Sequence, residues 1–455
     1  MRRFLPFIAL VLALLPGVAV ASGGAESLAQ PLLALALFLG AAKLGGHLAL
    51  KLNQPAVLGE LLAGIVLGNL KLVGWDPLGF ALHDPVIAAL GELGVILLLF
   101  EVGLESTLAQ MAKVGRSALV VAVVGVIVPM ILGYGVGVWL LPEHSWYVHL
   151  FLGAALTATS VGITARVLQD IGQSQTPEAR VILGAAVIDD VLGLIILATV
   201  SGVIAAANEG TTLSAGPVGL IVLKAVVFLG GAVGLGSYAV PRLLRGAAHL
   251  KGGGVLLGVS LAFCFGLSYL ASWMGLAPIV GAFAAGLILE TAHYKPFTDK
   301  GEYPLEKLIH PVAQFLAPVF FVLMGLRVDL TEFLNPAAIG LAAALSLAAV
   351  LGKQVCGLGI VDRGIRRLPV GIGMIPRGEV GLIFASIGRG LSVQGEPVID
   401  ASTYTAIVMM VLVTTLVTPP VLAWSLRRGT AGGQAAPVTT RPSYEAERED
   451  AAPAE

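Results

Sequence analysis

The sequence predicts an all-α, polytopic membrane protein of about thirteen transmembrane helices, built from inverted-topology repeats with two interrupted helices. Three observations carry that prediction. Hydrophobic residues make up 57% of the 455 and charged residues 12%, against about 25% charged in soluble domains. The apolar runs are long, each well beyond the roughly 9–11 residues of a barrel strand. A glycine pattern from the first half of the chain returns in the second half. Such a composition fits neither a water-soluble domain nor a disordered chain. Lys+Arg 27 and Asp+Glu 28 nearly cancel, so there is no basic footprint for nucleic acid. Cys264 and Cys356 lie inside apolar stretches, which excludes a disulfide framework and a cysteine-rich metal site.

The N-terminus reads as a signal peptide over residues 1–21. Arg2 and Arg3 precede an apolar run, and Ala19-Val20-Ala21 offers a small-residue cleavage site. An uncleaved first transmembrane helix is the alternative. After cleavage the mature N-terminus would lie outside. The transmembrane domain follows over 28–427.

Its thirteen candidate spans run roughly 28–50, 55–70, 86–102, 117–141, 147–168, 179–205, 216–244, 254–272, 276–292, 309–326, 335–361, 367–390 and 402–427. Basic residues test that count, because cytoplasmic loops collect Lys and Arg. With an outside start, the inner loops collect basic residues from Lys51 and Arg116 to Arg366 and Arg428. The outer loops hold Lys71, Arg327 and Arg389. One span more or fewer would scramble this pattern. The tail over 428–455 is then cytoplasmic, and its Ala, Pro, Glu and Arg content predicts disorder.

The repeat appears in small-residue motifs. Gly59 and Ala63-Gly64 reappear as Gly281 and Ala285-Gly286, an offset of 222 residues. Val102-Gly103-Leu104 reappears as Met324-Gly325-Leu326 at the same offset. Val161-Gly162-Ile163 reappears as Val380-Gly381-Leu382 at an offset of 219. The units cover about 55–205 and 276–427, joined by 216–272. A shift of seven spans is odd, so the units sit in opposite orientations. Inverted repeats characterise secondary transporters that work by alternating access.

Ionisable groups inside a bilayer are costly and usually face a functional cavity. Asp189 and Asp190 lie about ten residues, roughly 15 Å, into the sixth span. Lys353 lies in the eleventh span, Arg377 and Glu379 in the twelfth. Lys43, Glu60, Glu92, Glu101, Arg166 and Lys224 lie in spans or near their ends. Adjacent aspartates point about 100° apart on a helix, so one can face a cavity while the other meets a neighbour. Two close carboxylates cannot both ionise cheaply in a low dielectric, and they titrate as a coupled unit. Such a unit can hold either a proton or a hard monovalent cation such as Na⁺. Competition for one site is sufficient for exchange. Lys353 supplies a compensating charge; a purely structural Asp–Lys pair is the alternative.

The fifth span carries Thr157-Ala-Thr159-Ser160 and Thr164, and the twelfth carries Gly371, Gly373, Pro376-Arg377-Gly378-Glu379 and Gly381. Hydroxyls and helix breakers at equivalent places predict two discontinuous helices facing the binding site. Thr159 and Ser160 offer oxygens to a cation, with helix-packing glue as the alternative. Arg377 and Glu379 can balance half-helix dipoles or serve structure alone. The histidines show no metal-ligand spacing, and no nucleophile–base pair supports an enzyme.

Together, the Thr157–Arg166 run, Ile188-Asp189-Asp190-Val191, the Pro376–Gly381 run and the Pro55–Gly64 run resemble the bacterial monovalent cation:proton antiporters. The NapA-like Na⁺/H⁺ branch is the most similar. The resemblance covers about residues 28–427. It implies the NhaA/NapA-like antiporter fold, with the two broken helices crossing, an elevator mechanism and a homodimer in the bacterial inner membrane, with a role in pH homeostasis. By matching position, Asp190 resembles the principal ion- and proton-binding carboxylate. Asp189 resembles the second carboxylate, paired with Lys353, and Thr159 the threonine near the ion. The site would hold Na⁺ at Asp190, Asp189 and Thr159 and need no cofactor. An Asp-Asp pair resembles the electrogenic branch, which exchanges two protons for one Na⁺ or Li⁺. Asn69 departs from the pattern, since relatives often carry Pro there. The alternatives are a Kef-like K⁺/H⁺ antiporter, which resembles Gln-Asp at the pair, and a cation channel, which does not predict the repeat.

Overall fold

The computed structural model describes residues 26–76, 78–105, 108–209, 215–250, 253–289, 297, 303–331, 336–393 and 396–430. The expected signal peptide, and the expected tail from 431 on, lie outside the described residues. The helices in chain order are α1 (Glu26–Lys51), α2 (Ala56–Gly68), α3 (Pro85–Leu104), α4 (Leu108–Leu140) and α5 (Trp146–Ala155). There follow α6 (Val161–Asp170), α7 (Pro177–Glu209), α8 (Ala215–Ala247), α9 (Val255–Trp273) and α10 (Pro278–Ile288). The last are α11 (Leu305–Leu326), α12 (Pro336–Cys356), α13 (Arg367–Gly373), α14 (Gly378–Gly390) and α15 (Ala401–Thr430). A two-stranded ribbon, β1 (Ser392–Val393) against β2 (Glu396–Pro397), bridges the last two helices. Among the described residues, nine helices are long and apolar enough to cross a membrane.

Local chemistry explains several boundaries. Asp84 caps α3, accepting from the N–H groups of Val86 at 2.8 Å and Ile87 at 3.1 Å, with Pro85 at the first helical position. α4 starts at Leu108, earlier than the expected 117, because Gln110, Lys113 and Arg116 continue the helix beyond its apolar stretch. The expected spans 147–168 and 367–390 each divide in two, at 156–160 and 374–377.

Packing sorts the helices into two groups. In the first, α1, α2, α3, α9, α10 and α11 touch backbone to backbone. A Cβ on Gly64 would lie 2.2 Å from Val322 O and 2.9 Å from Gly325 Cα, and one on Gly286 would lie 2.3 Å from Phe100 O. In the second, α4–α7 and α12–α15 pack together, as where Gly133 of α4 faces Gly153 of α5. Small residues permit this approach where lipid provides no hydrophobic drive. Contact between the groups is made by side chains. Val57, Leu61, Val95 and Leu99 of the first share a buried apolar cluster with Ile163, Leu183 and Ile375 of the second. Among the described glycines, none abuts backbone of the other group; Gly162 on α6 meets only the Val95 side chain. α8 runs between the groups, against α7 on one side and α9 and α10 on the other.

The ends of α2 and α11 are stapled. Asn69 donates through Nδ2 to Ile65 O and Val328 O, and its Oδ1 accepts from Leu330 N–H. A proline at this position could not make these bonds. Lys71 pairs with Asp329 at 2.6 Å beside the staple.

The close approaches are testable by thermal unfolding in detergent. Gly64→Ala forces α2 from α11 and should destabilise by about 1–3 kcal/mol. Gly115→Ala, in α4 with open space around it, should be neutral or stabilise by roughly 0.5–1 kcal/mol.

Candidate functional site

Two segments abandon the helix inside the second group, and they do so against each other. Thr157 turns its hydroxyl back to donate to Ala154 O at 2.7 Å, drawing α5 to a close. Pro376 lacks an N–H and biases Ile375 away from helix, so α13 ends before it. Gly378 then takes φ +44°, and a Cβ there would lie 2.5 Å from Ser160 Oγ. Only glycine fits both the backbone angle and the space.

At the crossing each segment satisfies the other. Ser160 N–H donates to Pro376 O at 2.7 Å. Thr164 Oγ1 donates to Gly373 O, the last carbonyl of α13, at 2.7 Å. Arg377 Nη1 donates to Ala158 O, just past the end of α5, at 2.6 Å. Thr159 Oγ1 reaches Met374 O at 3.4 Å. Gly378 N–H, opening α14, donates to Thr415 Oγ1 of α15 at 3.3 Å. Two helix N-termini and two C-termini therefore converge, each end carrying about half a charge.

Asp189 and Lys353 flank this crossing. Lys353 Nζ donates to Asp189 Oδ1 at 2.9 Å, and both side chains are fully enclosed. α4 lines the pair at Gly125, where a Cβ would lie 3.5 Å from Nζ, in ordinary contact. Asp189 Oδ2 has no hydrogen-bond partner among the described residues. Arg377 is likewise buried, within electrostatic reach of Asp189, and its Nε and Nη2 have no hydrogen-bond partner there. Asp190 differs from its neighbour in keeping part of its surface open. The two aspartates therefore differ, Asp189 being enclosed in an ion pair and Asp190 only partly buried.

Of the residues singled out in the sequence, Asp189, Lys353, Thr159, Ser160 and Arg377 come together here, with Asp190 beside them. Glu379 belongs to α14, but its side chain lies outside the described residues. Thr164, Thr415 and Gly125 were not singled out as site residues. Thr164 lies in the same hydroxyl-rich run and could have been marked with it; Gly125 and Thr415 carry no local signal.

A separate polar cluster lies toward the N-terminal end of α2. Arg166 Nη2 of α6 approaches Glu60 Oε1 of α2 at 3.4 Å, and Arg166 Nε approaches Asp170 Oδ1 at 3.0 Å. Asp170 Oδ2 accepts from Val57 N–H at 3.1 Å. On α11, His310 Nδ1 pairs with Glu101 Oε1 of α3 at 2.5 Å. Lys43 Nζ donates to Gln314 O at 3.4 Å. Glu60, Arg166, Asp170, Lys43 and His310 line a cavity of about 400 Å³. The spacing of Arg166 and Asp170, four apart on one helix, was the signal available for part of this cluster.

The sequence matches the family described as sodium/hydrogen exchanger, transmembrane, over residues 9–428. It is 40% identical over 428 residues to the high-affinity Na⁺/H⁺ antiporter NhaS3 of Synechocystis sp., covering 86% of this chain and 89% of that protein. It is 36% identical over 396 residues to the Na⁺/H⁺-K⁺ antiporter GerN of Bacillus cereus, covering 86% and 95%. Among solved structures, the fold is similar to that of the sodium proton antiporter MjNhaP1 from Methanocaldococcus jannaschii. The TM-score is 0.57 at 18% identity, over 89% of this chain and 98% of that one.

Removing one partner of the enclosed pair should be costly. Lys353→Met leaves Asp189 uncompensated and should lower stability by about 3–5 kcal/mol. Adding Asp189→Asn should recover much of that loss, measured by thermal unfolding of single and double variants.

Proposed function

The chain belongs to the sodium/hydrogen exchanger family, and from its interior geometry we propose that it is an electrogenic Na⁺(Li⁺)/H⁺ antiporter working by alternating access. Members of this family are transporters, not enzymes. The observation that carries the reading is the buried Asp189–Lys353 pair beside a partly open Asp190 at the crossing of two broken helices.

Charge accounting supports exchange over simple binding. With Asp190 protonated and Asp189, Lys353 and Arg377 ionised, the site carries one positive charge. Na⁺ arriving at Asp190 would add a second to a poorly solvated interior, which is expensive unless the Asp190 proton leaves. Asp190 is the residue we assign to direct ion and proton binding. Thr159 at the crossing and Asp189 Oδ2, which has no hydrogen-bond partner among the described residues, are the further oxygens we assign to the ion. In this reading the second proton of a two-for-one exchange belongs to the Asp189–Lys353 pair. Ser160 and Arg377 hold the crossing in place, and Glu379 is assigned there by position alone.

The paired glycines support the inverted repeats. Gly64 meets Gly325, and Gly103 meets Gly286. An offset of 222 carries the first contact onto the second. The reading extends to thirteen spans with two of them broken, an outside N-terminus, a cytoplasmic C-terminus and a homodimer in the bacterial inner membrane. A role in pH homeostasis follows from the exchange.

Potassium is the second reading, favoured by the likeness to GerN, whose name includes it. The two aspartates and their lysine count against a Kef-like site.

Proteoliposomes with an imposed pH gradient and a fluorescent pH probe test the proposal. Addition of Na⁺ or Li⁺ should collapse the gradient, at a rate that responds to an imposed membrane potential. Asp190→Asn should abolish the response, by at least about 100-fold, while melting as the unsubstituted protein does. Retained exchange in Asp190→Asn would remove that residue from the site. Activity with K⁺ alone would give the chain to the second reading.

A further inference from the structure

The two helix groups are each tied internally by backbone contact but meet each other through side chains. Their polar connections are unevenly placed. Around the N-terminal end of α2, polar contacts cross between the groups. Arg166 of α6 meets Glu60 of α2, Asp170 of α6 caps the Val57 N–H of α2, and Arg427 Nη1 of α15 donates to Asn53 O. Toward the other end of α2 the seam is mainly apolar. Leu61, Ile65 and Val328 face Val411, Leu412 and Leu416 around a cavity of about 20 Å³.

We propose that Arg166, with Glu60 and Asp170, is a polar latch between the two bodies, and that its release is a step of the transport cycle. This rests on the alternating-access reading above. Glu60 and Arg166 are 2% and 6% exposed. A buried ion pair is a poor source of net stability, because desolvation offsets most of its attraction, and its best-attested use is to fix register. Breaking one is nonetheless costly. It therefore selects one arrangement of the bodies sharply while adding little to either body. The second carboxylate oxygen of Glu60 has no hydrogen-bond partner among the described residues, and Glu60 lines the adjoining cavity of about 400 Å³. Water in that cavity can solvate the separated charges and lower the cost of release. Arg166 acts from the broken helix itself: it lies on α6, whose first turn makes the crossing. A force on the latch is thereby delivered to the ion site along a rigid helix of 10 residues. Arg166 is in this sense a positioning residue, not an ion ligand.

Spin labels at Leu52→Cys in the first body and Leu368→Cys in the second report their separation. Both positions are exposed, while native Cys264 and Cys356 are buried. Distance distributions are measured in the full-length protein in lipid, for Glu60→Gln, Arg166→Gln and Arg166→Lys. The first two should move the two-state ratio by about tenfold toward a second distance. Arg166→Lys should keep most of the original distribution. In proteoliposomes, Glu60→Gln should change the apparent Na⁺ half-saturation and the maximal rate together.

If Arg166→Gln does not fold, Glu60→Gln decides, since it removes one charge at constant shape. An unchanged distribution in a folded Glu60→Gln protein overturns the latch, as does a shift in Arg166→Lys as large as that in Arg166→Gln. Absence of cation-driven proton movement in the unsubstituted protein would instead overturn the antiporter reading. A latch shown by distance alone, with unaltered transport in Glu60→Gln, would overturn its place in the cycle.

Discussion

A bilayer has no water to offer a backbone that stops being helical. Everything at the centre of this protein follows from that constraint. Once α5 and α13 end inside an apolar body, their last carbonyls and the first N–H groups of α6 and α14 need partners. The two interruptions supply one another. Ser160 N–H serves Pro376 O, Thr164 serves Gly373 O, and Arg377 serves Ala158 O. Neither interruption is stable without the other, which is why both occur and why they cross. The arrangement also concentrates partial charges at one point, so fixed charges can be balanced there as nowhere else in the interior. Asp189, Lys353 and Arg377 are placed where the backbone has already made the surroundings polar.

The enclosed pair and the half-open aspartate are a single device seen from two sides. Asp189 is paired with Lys353 inside the protein, each charge answering the other. Asp190, on the next residue of the same helix, points elsewhere and keeps surface. The helix separates the tasks by geometry alone.

Much of this was legible in the sequence for definite physical reasons. Membrane thickness dictates segment length, so helices stand where apolar runs were found. The interruptions were legible because Thr157-Ala-Thr159-Ser160 and Pro376-Arg377-Gly378 compete with or break helical hydrogen bonding. That Lys353 answers the aspartates was legible because opposite charges in an apolar interior have few alternatives to each other; that Asp189 is the one it meets came from the family resemblance. Other features were not legible. Asp170 stands at the end of a helix, where an acid is ordinary, and its contact with Val57 joins residues 113 apart. The partner of Arg377, a backbone carbonyl, leaves no trace in residue type. Gly125 is one of 58 glycines, and nothing local distinguishes it from those lying in open space. Helix ends were misplaced where a polar but helix-competent stretch prolonged an apolar one, as at the start of α4.

The glycine contacts within each body have a consequence for sequence change. Where two backbones touch, an added methyl has nothing to displace but main chain, and the helices themselves must part. Along the seam the neighbours are Leu, Val and Ile side chains, which can turn to another rotamer. The surface between the bodies is therefore free to vary in ways that the interior of either body is not.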